Sequence, residues 1–289
     1  MRNWQVGSVG VTRVVESRDA LPPSSFFDGM TPEQVQVHRW LRPHFAHADG
    51  RLFASIQCFV IESEGRRIVV DTCVGNDKSR ELPMWNRLQT TFLADLEQAG
   101  FAPESIDTVL CTHLHVGHVG WNTRWENGRW LPTFVNARYL FGRVEYEHWS
   151  HAREASSKQA MVDSVQPVID AGLVQWVETD HALTAEVRLE PTPGHTPGHV
   201  SVRIHSQGHE AVITGDLMHH PLQCCEPDRA TRFDVDPPTA RLTRRRFLAE
   251  QADRNVLVLG THFPEPTGGW VVSAGAAWEL SLAPRLGSD

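Results

Sequence analysis

The chain has 289 residues, a formal net charge of −8 and 40% hydrophobic residues, which is ample for a sizeable buried core. The acidic balance argues against a nucleic-acid surface and an anionic membrane surface, and no apolar run approaches the ~20 residues of a membrane span. Five cysteines without CxxC spacing and a start without an apolar signal stretch lead us to expect a cytoplasmic protein. The sequence also contains 16 histidines, and only their placement can show whether they have a role.

Predicted strands and helices alternate along the first half of the chain. We predict a helix over 31–41, strands over 55–63 and 66–72, a helix over 85–100 and a strand over 106–112. The helix over 31–41 begins with a threonine cap followed by proline, which is a common helix start. A further helix is predicted over 154–172, with a bend near Pro167.

The second half repeats this alternation. Strands are predicted over 173–178, 199–206, 210–216 and 255–262, and a helix over 237–253. Interleaved strands and helices favour an α/β architecture. No linker rich in proline, glycine and serine divides the chain. We therefore expect a single domain over 1–289 with two similar halves, in which 1–50 is an N-terminal extension.

The strand predicted over 106–112 leads into the segment THLHVGH, residues 112–118. His113 and His115 are two residues apart, so they point to the same side of an extended chain, and a turn can bring His118 round. Neutral imidazoles are good ligands for zinc, and the end of a buried strand is a suitable place for a metal site. The alternative is a polar loop that happens to be rich in histidine.

Three later segments add to this metal hypothesis. His195 lies in a turn rich in proline and glycine, Asp216 ends the strand ITGD, and His262 ends the strand LGTH. These residues are far from THLHVGH in sequence, so they can join it only through the tertiary fold.

The ordered set HxHxxH, GH, GD and TH, with Asp71 at the end of VVDT, resembles the metallo-β-lactamase-fold hydrolase superfamily over roughly residues 54–265. The resemblance implies a four-layer αββα sandwich with metals at one edge. It also implies a ligand set: His113, His115 and His195 for a first zinc, Asp216 as a bridge, and His118 and His262 for a second zinc. Asp71 would support the ligands from behind.

The sequence departs from the family pattern at Gly117. The family motif normally reads HxHxDH, and glycine has no ligand atom at the aspartate position. The chain could therefore hold one zinc, or two with a weakened second site, or be inactivated. Protonation of the leaving group would also lack its usual donor. We expect Gly117→Asp to raise both the metal content and the hydrolytic rate.

Other residues near these motifs have two interpretations each. His219 and His220 follow GD and could supply the missing proton donor, so they join Asp216 as predicted catalytic residues. His199 could touch the substrate or support the His195 loop. Trp121 and Trp125 could wall a substrate pocket, or simply pack a long loop.

The basic run RLTRRRF, residues 241–247, places Arg241, Arg244 and Arg245 on one helix face. We interpret this face as solvated and paired with nearby acids rather than as a nucleic-acid surface. Cys224 and Cys225 are interpreted as structural thiols.

The resemblance is greatest to the lactonase and esterase branch, so we expect a zinc-dependent hydrolase that activates water at the metal to attack a lactone or ester-type carbonyl. One alternative is a hydrolytic dehalogenase of a chlorinated aromatic, because chloride leaves without a proton. Another is a catalytically degenerate zinc-binding protein. The expected partner is a small-molecule substrate, with no nucleic acid and no membrane, and a homodimer is a family-level expectation.

Overall fold

Two mixed β-sheets form the centre of the protein in the computed structural model, which describes residues 2–151 and 155–284. The strands of the first part of the chain are β1 (Arg2–Val6), β2 (Val9–Leu21), β3 (Leu52–Ser63), β4 (Arg66–Val70), β5 (Thr108–Leu110), β6 (Thr123–Glu126), β7 (Arg129–Pro132), β8 (Arg138–Gly142) and β9 (Val174–Val177). Among the described residues, the first sheet has the order β1-β2-β3-β4-β5-β8-β9, and β6 and β7 form a separate hairpin.

The second sheet is built from the rest of the chain. Its strands are β10 (Val187–Pro191), β11 (Val200–Ser206), β12 (His209–Ile213), β13 (Val256–Leu259), β14 (Gly268–Ala274) and β15 (Ala277–Ser281). They pair in sequence order, and β12 and β13 are parallel. In the first sheet β4, β5, β8 and β9 are parallel to their neighbours along the series.

The described helices are short apart from the last. They are α1 (Pro32–Gln36), α2 (Phe92–Gln98), α3 (Val116–Val119), α4 (Arg143–Ser150), α5 (Ala155–Ala160), α6 (Gln166–Asp170), α7 (Leu222–Cys225) and α8 (Pro237–Gln251). A π-helical turn over Met161–Val165 joins α5 to α6, and single 3₁₀ turns occur in several loops. None of the described helices has both the length and the apolar character that a bilayer crossing requires.

Three apolar clusters account for the layering. One lies between the sheets, where Phe59 and Val70 of the first sheet join Val202 and Ile213 of the second. The outer face of the first sheet packs against α2 and α6, and the outer face of the second packs against α7 and α8. Helices thus cover both outer faces of two stacked sheets, which confirms the predicted αββα sandwich.

The helix predicted over 85–100 is shorter than its apolar spacing suggested, because only Phe92–Gln98 is helical. The segment before it is tied to an earlier loop instead. Asn76 forms a β-bridge with Leu88, and its side-chain oxygen accepts the Thr90 N–H at 2.8 Å. These contacts hold the backbone in a loop up to Thr91.

Two other predicted helices are also interrupted. The segment 31–41 forms α1 with the expected capping box at Thr31, and then a separate 3₁₀ turn at Arg39–Leu41. The segment 154–172 is divided by the π-helical turn just before Pro167, while Glu154 lies outside the described residues. The N-terminal extension contributes β1 and β2, which pair with each other and then with β3 in the first sheet.

The ends of parallel strands bring the sequence motifs to one place. Asp71 follows β4 and His113 lies just beyond β5, while Asp216 follows β12 and His262 follows β13. Neighbouring parallel strands end at the same edge of a sheet, which is where sites form in α/β proteins. Stacking of the sheets places the two edges together.

Candidate metal centre

Six side chains from distant parts of the sequence converge into two groups that share Asp216. The first group is His113, His115, His195 and Asp216, and the second group is His118, Asp216 and His262. In each group one ligand atom per residue lies within 4.8 Å of all the others. All of these residues are buried except His115, which is partly exposed.

The first group is closely spaced. His115 Nδ1 lies 3.1 Å from His113 Nε2 and 2.9 Å from His195 Nε2. Asp216 Oδ2 lies 3.3 Å from His195 Nε2 and 3.6 Å from His113 Nε2. Tetrahedral ligands at zinc–nitrogen distances of 2.0–2.1 Å are about 3.3 Å apart, so this spacing suits a tetrahedral ion.

The second group has similar spacing. His118 Nε2 lies 3.2 Å from His262 Nε2 and 3.3 Å from Asp216 Oδ2. Asp216 Oδ1 lies 3.1 Å from His262 Nε2. The two oxygens of one carboxylate therefore face different histidines, so Asp216 can contribute to both groups.

The polar atoms of these side chains are better satisfied by a bound cation than by hydrogen bonds to one another. Asp216 Oδ1 is buried and has no hydrogen bond among the described residues, although His262 Nε2 is close. The imidazole nitrogens that face each other cannot all carry protons. A buried polar atom without a partner is costly, and clustered lone pairs repel, so a positive ion would relieve both penalties.

Asp71 holds two histidines from behind the groups. Its Oδ2 accepts from His118 Nδ1 at 3.0 Å and from the Thr112 hydroxyl at 2.9 Å. The Thr112 oxygen in turn lies 3.0 Å from His113 Nδ1 and accepts its proton. These contacts place the protons on Nδ1, which leaves Nε2 free to bind a metal. Asp71 thus lies behind the candidate ligands His113 and His118.

The remaining two Nε2-presenting histidines have acceptors of their own. His195 Nδ1 donates to Asp234 Oδ1 at 2.9 Å, and His262 Nδ1 donates to the Ser55 carbonyl at 3.1 Å. The sequence gives no signal for a role of Asp234. It lies in the irregular loop before α8, where no periodicity or motif distinguishes it from the neighbouring acids.

Electrostatics in the cluster follow from burial and from the shared carboxylate. Burial disfavours a charge on His113 and His115, and nearby histidines add to this, so the pKa of each lies well below its usual value. Burial alone would also lower the pKa of His118, but Asp216 and Asp71 outweigh it and raise the pKa to about 10. A metal at His118 must therefore displace a proton.

Asp216 stays ionised despite its burial. Desolvation alone would raise its pKa, but the surrounding histidines, His118 first, hold the pKa of this carboxyl well below its usual range. Its position depends on Gly215, whose φ is +54°. A Cβ there would lie 2.6 Å from His199 Nε2, so a side chain at 215 would collide with the packing behind Asp216.

His199 does not lie in a substrate pocket, which corrects one predicted role. It is fully buried, its Nε2 accepts the Asp216 N–H at 2.8 Å, and its Nδ1 donates to the Thr192 carbonyl at 3.1 Å. Both nitrogens are therefore occupied. His199 instead positions the Asp216 backbone, which is a supporting role.

The two histidines after Asp216 differ sharply. His219 Nε2 lies 3.1 Å from Asp216 Oδ2, and its Nδ1 has no hydrogen bond among the described residues. His220 instead places Nε2 2.9 Å from the Phe45 carbonyl, and its Nδ1 accepts from Leu222 N at 3.0 Å. Prediction of a catalytic role for His220 is wrong, because both of its nitrogens are held within the core.

The predicted pocket role of Trp121 is also wrong. Its ring is buried and stacks on Phe92 with ring centres 5.7 Å apart, and its Nε1 donates to Glu16 Oε1 at 2.6 Å. Glu16 also accepts from the backbone N–H groups of Val74 and Gly75. Glu16 of β2 therefore ties both Trp121 and the loop after β4 to the first sheet.

Trp125 is half exposed, but it lines a different cavity. Its ring meets Trp130 across the β6–β7 hairpin, beside a cavity of about 620 Å³ whose lining contains none of the six metal-group residues. Beneath this hairpin Lys78 is fully buried, with Nζ 3.7 Å from the centre of the Trp130 ring. Burial lowers the pKa of Lys78 to about 7, although Asp163 opposes the shift.

The interpretation of the α8 arginines as a solvated face is wrong for Arg244. Its side chain is fully buried and donates to the carbonyls of Leu217 and Pro227 at 3.0 and 2.9 Å. Leu217 directly follows Asp216, so Arg244 ties α8 to the loop that carries this carboxylate. Arg245 pairs with exposed Asp228, as expected for a solvated side chain.

Gly117 leaves room beside the second group. A Cβ at this position would meet only the edge of Trp85, at 3.8 Å, which is ordinary van der Waals contact. The backbone of α3 would therefore accept a side chain. The second group has three members, one fewer than the first.

Comparisons with known proteins agree with this architecture. Residues 52–262 match the sequence profile of the Metallo-beta-lactamase superfamily. An N-acyl homoserine lactonase of a Bacillus species is 27% identical over 165 residues, which are 53% of this chain and 59% of that protein. A second one, from Bacillus thuringiensis, is 26% identical over 55% of this chain and 61% of that protein. The matches thus span about 60% of these relatives' length.

Solved structures share the fold over nearly the whole chain. The hydrolase AbOPH, described as a member of the beta lactamase superfamily, superposes with a TM-score of 0.80 at 24% identity and covers 97% of both chains. AidC, described as a dizinc quorum-quenching lactonase, superposes with a TM-score of 0.81 at 20% identity and covers 100% of this chain and 98% of its own. Because the profile matches most of the sequence and the predicted motifs meet at one edge, the chain belongs to the Metallo-beta-lactamase superfamily.

Proposed function

We propose that this protein is a zinc-dependent hydrolase that opens a lactone or ester-type carbonyl of a small molecule. The observation that carries the proposal is the position of Asp216, whose two oxygens face two adjacent groups of histidines. His113, His115 and His195 would hold a first zinc, His118 and His262 a second, and Asp216 would contribute to both. Nitrogen-rich sets of this kind suit zinc.

Zinc bound there would supply Lewis-acid chemistry, by activating water and polarising the carbonyl. The protein's own contribution is to aim the ligand nitrogens inward by binding the opposite ring nitrogen of four of these histidines. The acceptors behind them do this, since Asp71, Thr112, Asp234 and the Ser55 carbonyl occupy the opposite nitrogens. Burial of the cluster also limits competing water.

Proton transfer is proposed for His219. Burial lowers the pKa of His219 more than Asp216 raises it, so the ring is neutral near pH 7. It can therefore donate only a proton that it has first accepted. Nδ1, which has no hydrogen bond among the described residues, is the proposed atom that takes the proton of the attacking water and passes it to the leaving oxygen. This would replace the carboxylate absent at Gly117.

Sequence relatives support the substrate class. Two that match about half of the chain are named as N-acyl homoserine lactonases, and AidC was solved with an N-acyl homoserine product. Identities of 20–27% leave the acyl group and the ring unspecified. The proposal is therefore a lactone or ester substrate class rather than one compound.

The test is hydrolysis of N-hexanoyl homoserine lactone and p-nitrophenyl acetate by the zinc-loaded, chelator-stripped and zinc-restored protein, with metal content measured in parallel. We expect ring opening that is lost on stripping and regained with zinc. His219→Ala should lower kcat by about 100-fold while leaving the metal content unchanged. Hydrolysis rates that stay the same when zinc is removed and restored would overturn the proposal. Zinc binding without turnover of any ester or lactone would identify a degenerate binding protein.

Gly117 favours one second candidate, a hydrolytic dehalogenase of a chlorinated aromatic. Departing chloride needs no proton, so this reaction would tolerate the missing carboxylate better than lactone opening. Halide release from chlorinated aromatics by the zinc-loaded protein tests this candidate. Chloride release faster than lactone hydrolysis would replace the first proposal, and no chloride release would remove the candidate.

A further inference from the structure

Glu145 is a buried carboxylate on α4 that makes no hydrogen bond to a member of either metal group among the described residues, yet it joins the two loops that carry the first group. We propose that Glu145 is a positioning residue, which sets the spacing between the His113–His115 segment and the His195 loop and so controls the affinity of the first metal position. This inference rests on the proposed zinc site.

The contacts of Glu145 reach both loops through their backbones. Oε1 accepts the N–H of Leu114, at 3.1 Å, and Leu114 lies between His113 and His115 in the chain. Oε2 accepts the N–H of Gly198, at 3.0 Å, three residues after His195. One carboxylate thus links the backbones of two segments whose metal-group residues, His115 and His195, are 80 residues apart in sequence.

A third contact ties the same carboxylate to the side of His115. The indole Nε1 of Trp149 donates to Glu145 Oε1 at 2.5 Å. The Trp149 ring in turn lies 4.9 Å from the ring of His115, centre to centre. His115 is the partly exposed member of the first group. Its orientation therefore depends more on contact with the Trp149 ring than the orientations of the buried histidines do.

Close packing at Gly198 independently shows that the loop is seated on α4. A Cβ at this position would lie 2.5 Å from Glu145 N and 2.9 Å from Glu145 Cα. The loop backbone therefore touches the helix at the residue that bonds it, and only glycine permits that approach. Movement of Glu145 would shift the loop and with it His195.

The three donors also explain why a carboxylate is needed. Leu114 N, Gly198 N and Trp149 Nε1 all donate, so the side chain must accept at both ends. A carboxylate does so, whereas a glutamine would turn an N–H₂ group toward one of these donors. Partners behind metal ligands affect metal affinity by 10- to 100-fold when they are changed.

The experiment compares Glu145→Gln with Glu147→Gln, the same substitution at an exposed position of the same helix. Zinc affinity is measured by competition with a chromophoric chelator, and the ligand geometry by the absorption spectrum of the cobalt-substituted protein. We expect Glu145→Gln to bind its tightest zinc about 10- to 100-fold more weakly and to change the cobalt spectrum. Glu147→Gln should match wild type in both.

Trp149→Phe keeps the proposal testable if Glu145→Gln does not fold. It keeps a ring beside His115 but removes one of the three donors, and we expect it to weaken zinc binding by a few-fold. The inference would be overturned if Glu145→Gln had the zinc affinity and the cobalt spectrum of wild type. If only Trp149→Phe folds, the same result in that variant would overturn it. Neither result would contradict the proposed hydrolase activity. Conversely, a wild-type protein that binds zinc but cleaves no lactone or ester would overturn the proposed activity, and a weakened zinc site in Glu145→Gln would still support the inference.

Discussion

Nδ1 of His195 lies 2.9 Å from Oδ1 of Asp234, and both side chains are buried. The hydrogen bond fixes the imidazole with its proton on Nδ1 and its Nε2 facing Asp216. Burial alone would raise the pKa of Asp234, but the hydrogen bond from His195 and nearby positive charge lower it to about 2. Asp234 is thus charged under ordinary conditions.

Asp234→Asn should weaken zinc binding at the first group by about 10- to 100-fold, because an amide is a poorer acceptor for His195 and carries no charge. The measurement is chelator competition with the purified protein. Asp228→Asn is the matched control, since Asp228 is exposed in the same loop and pairs with Arg245 on the surface. Equal zinc affinity in the two variants would contradict the prediction.

Gly117→Asp should raise the zinc content of the protein from below two toward two per chain. The structure offers space, because an added Cβ meets only Trp85 at 3.8 Å, and the new carboxylate adds a ligand to the three-membered second group. We also expect lactone hydrolysis to rise by about 100-fold if proton transfer limits the rate. Elemental analysis and kcat check these outcomes.

Gly117→Ala is the control for that substitution, since it adds the Cβ without the carboxylate. It should leave zinc content and rate as in wild type. If Gly117→Asp changes neither quantity relative to Gly117→Ala, then the glycine is not what limits the second group.

Trp121→Phe should lower the free energy of unfolding by about 2 kcal/mol without changing KM, because it removes the hydrogen bond to the partly buried Glu16 carboxylate. Trp125→Phe, on the half-exposed hairpin position, should change stability by less than about 0.5 kcal/mol. Chemical denaturation and lactone kinetics on both variants provide the comparison. A raised KM in Trp121→Phe with unchanged stability would restore the pocket role.

The buried Lys78 should make stability depend on pH. Its pKa is about 7 in the folded protein and 10.5 in a model peptide, so the unfolded chain binds more protons between these values. The burial penalty is therefore complete below pH 7 and is relieved as the pH rises. The free energy of unfolding of wild type should rise relative to Lys78→Met from pH 7 to 10, by at most about 1.4 kcal/mol per pH unit.

Urea denaturation of wild type and Lys78→Met at several pH values measures this slope. Lys158→Met is the control, because it removes an exposed lysine at the same cavity rather than a buried charge. Parallel pH profiles for wild type and Lys78→Met would show that Lys78 is not titrating in this range.

Much of the candidate site could be predicted because its motifs are local and strand-linked. THLHVGH, ITGD and LGTH each end a short apolar strand, and parallel strands in a sandwich end at a common edge. The alternation of strands and helices predicted an α/β architecture, and the family resemblance implied the αββα sandwich. The helix predicted over 85–100 failed at its start, since Asn76 binds Thr90 across fourteen residues and holds a loop that periodicity cannot reveal.

Two tryptophans in one short segment show that side-chain burial cannot be predicted from the neighbouring residues alone. Trp121 and Trp125 have the same residue type and similar neighbours, yet one is buried against Phe92 and Glu16 while the other lies half exposed. Their environments depend on which distant segments pack over them. Arg244 is a second example. A basic run on a helix predicts solvent-exposed side chains, but the Arg244 side chain is buried and donates to carbonyls of the loop after Asp216.

The sequence alone determined which residue types could bind metal, their order along the chain and the absence of a carboxylate at Gly117. Those properties depend only on motifs that are a few residues long. Tertiary structure alone decided which acceptors orient the histidines, that Glu145 joins two ligand loops, and that His219 rather than His220 faces Asp216. These contacts join residues distant in sequence, and their energies depend on burial, which exists only once the sheets have packed.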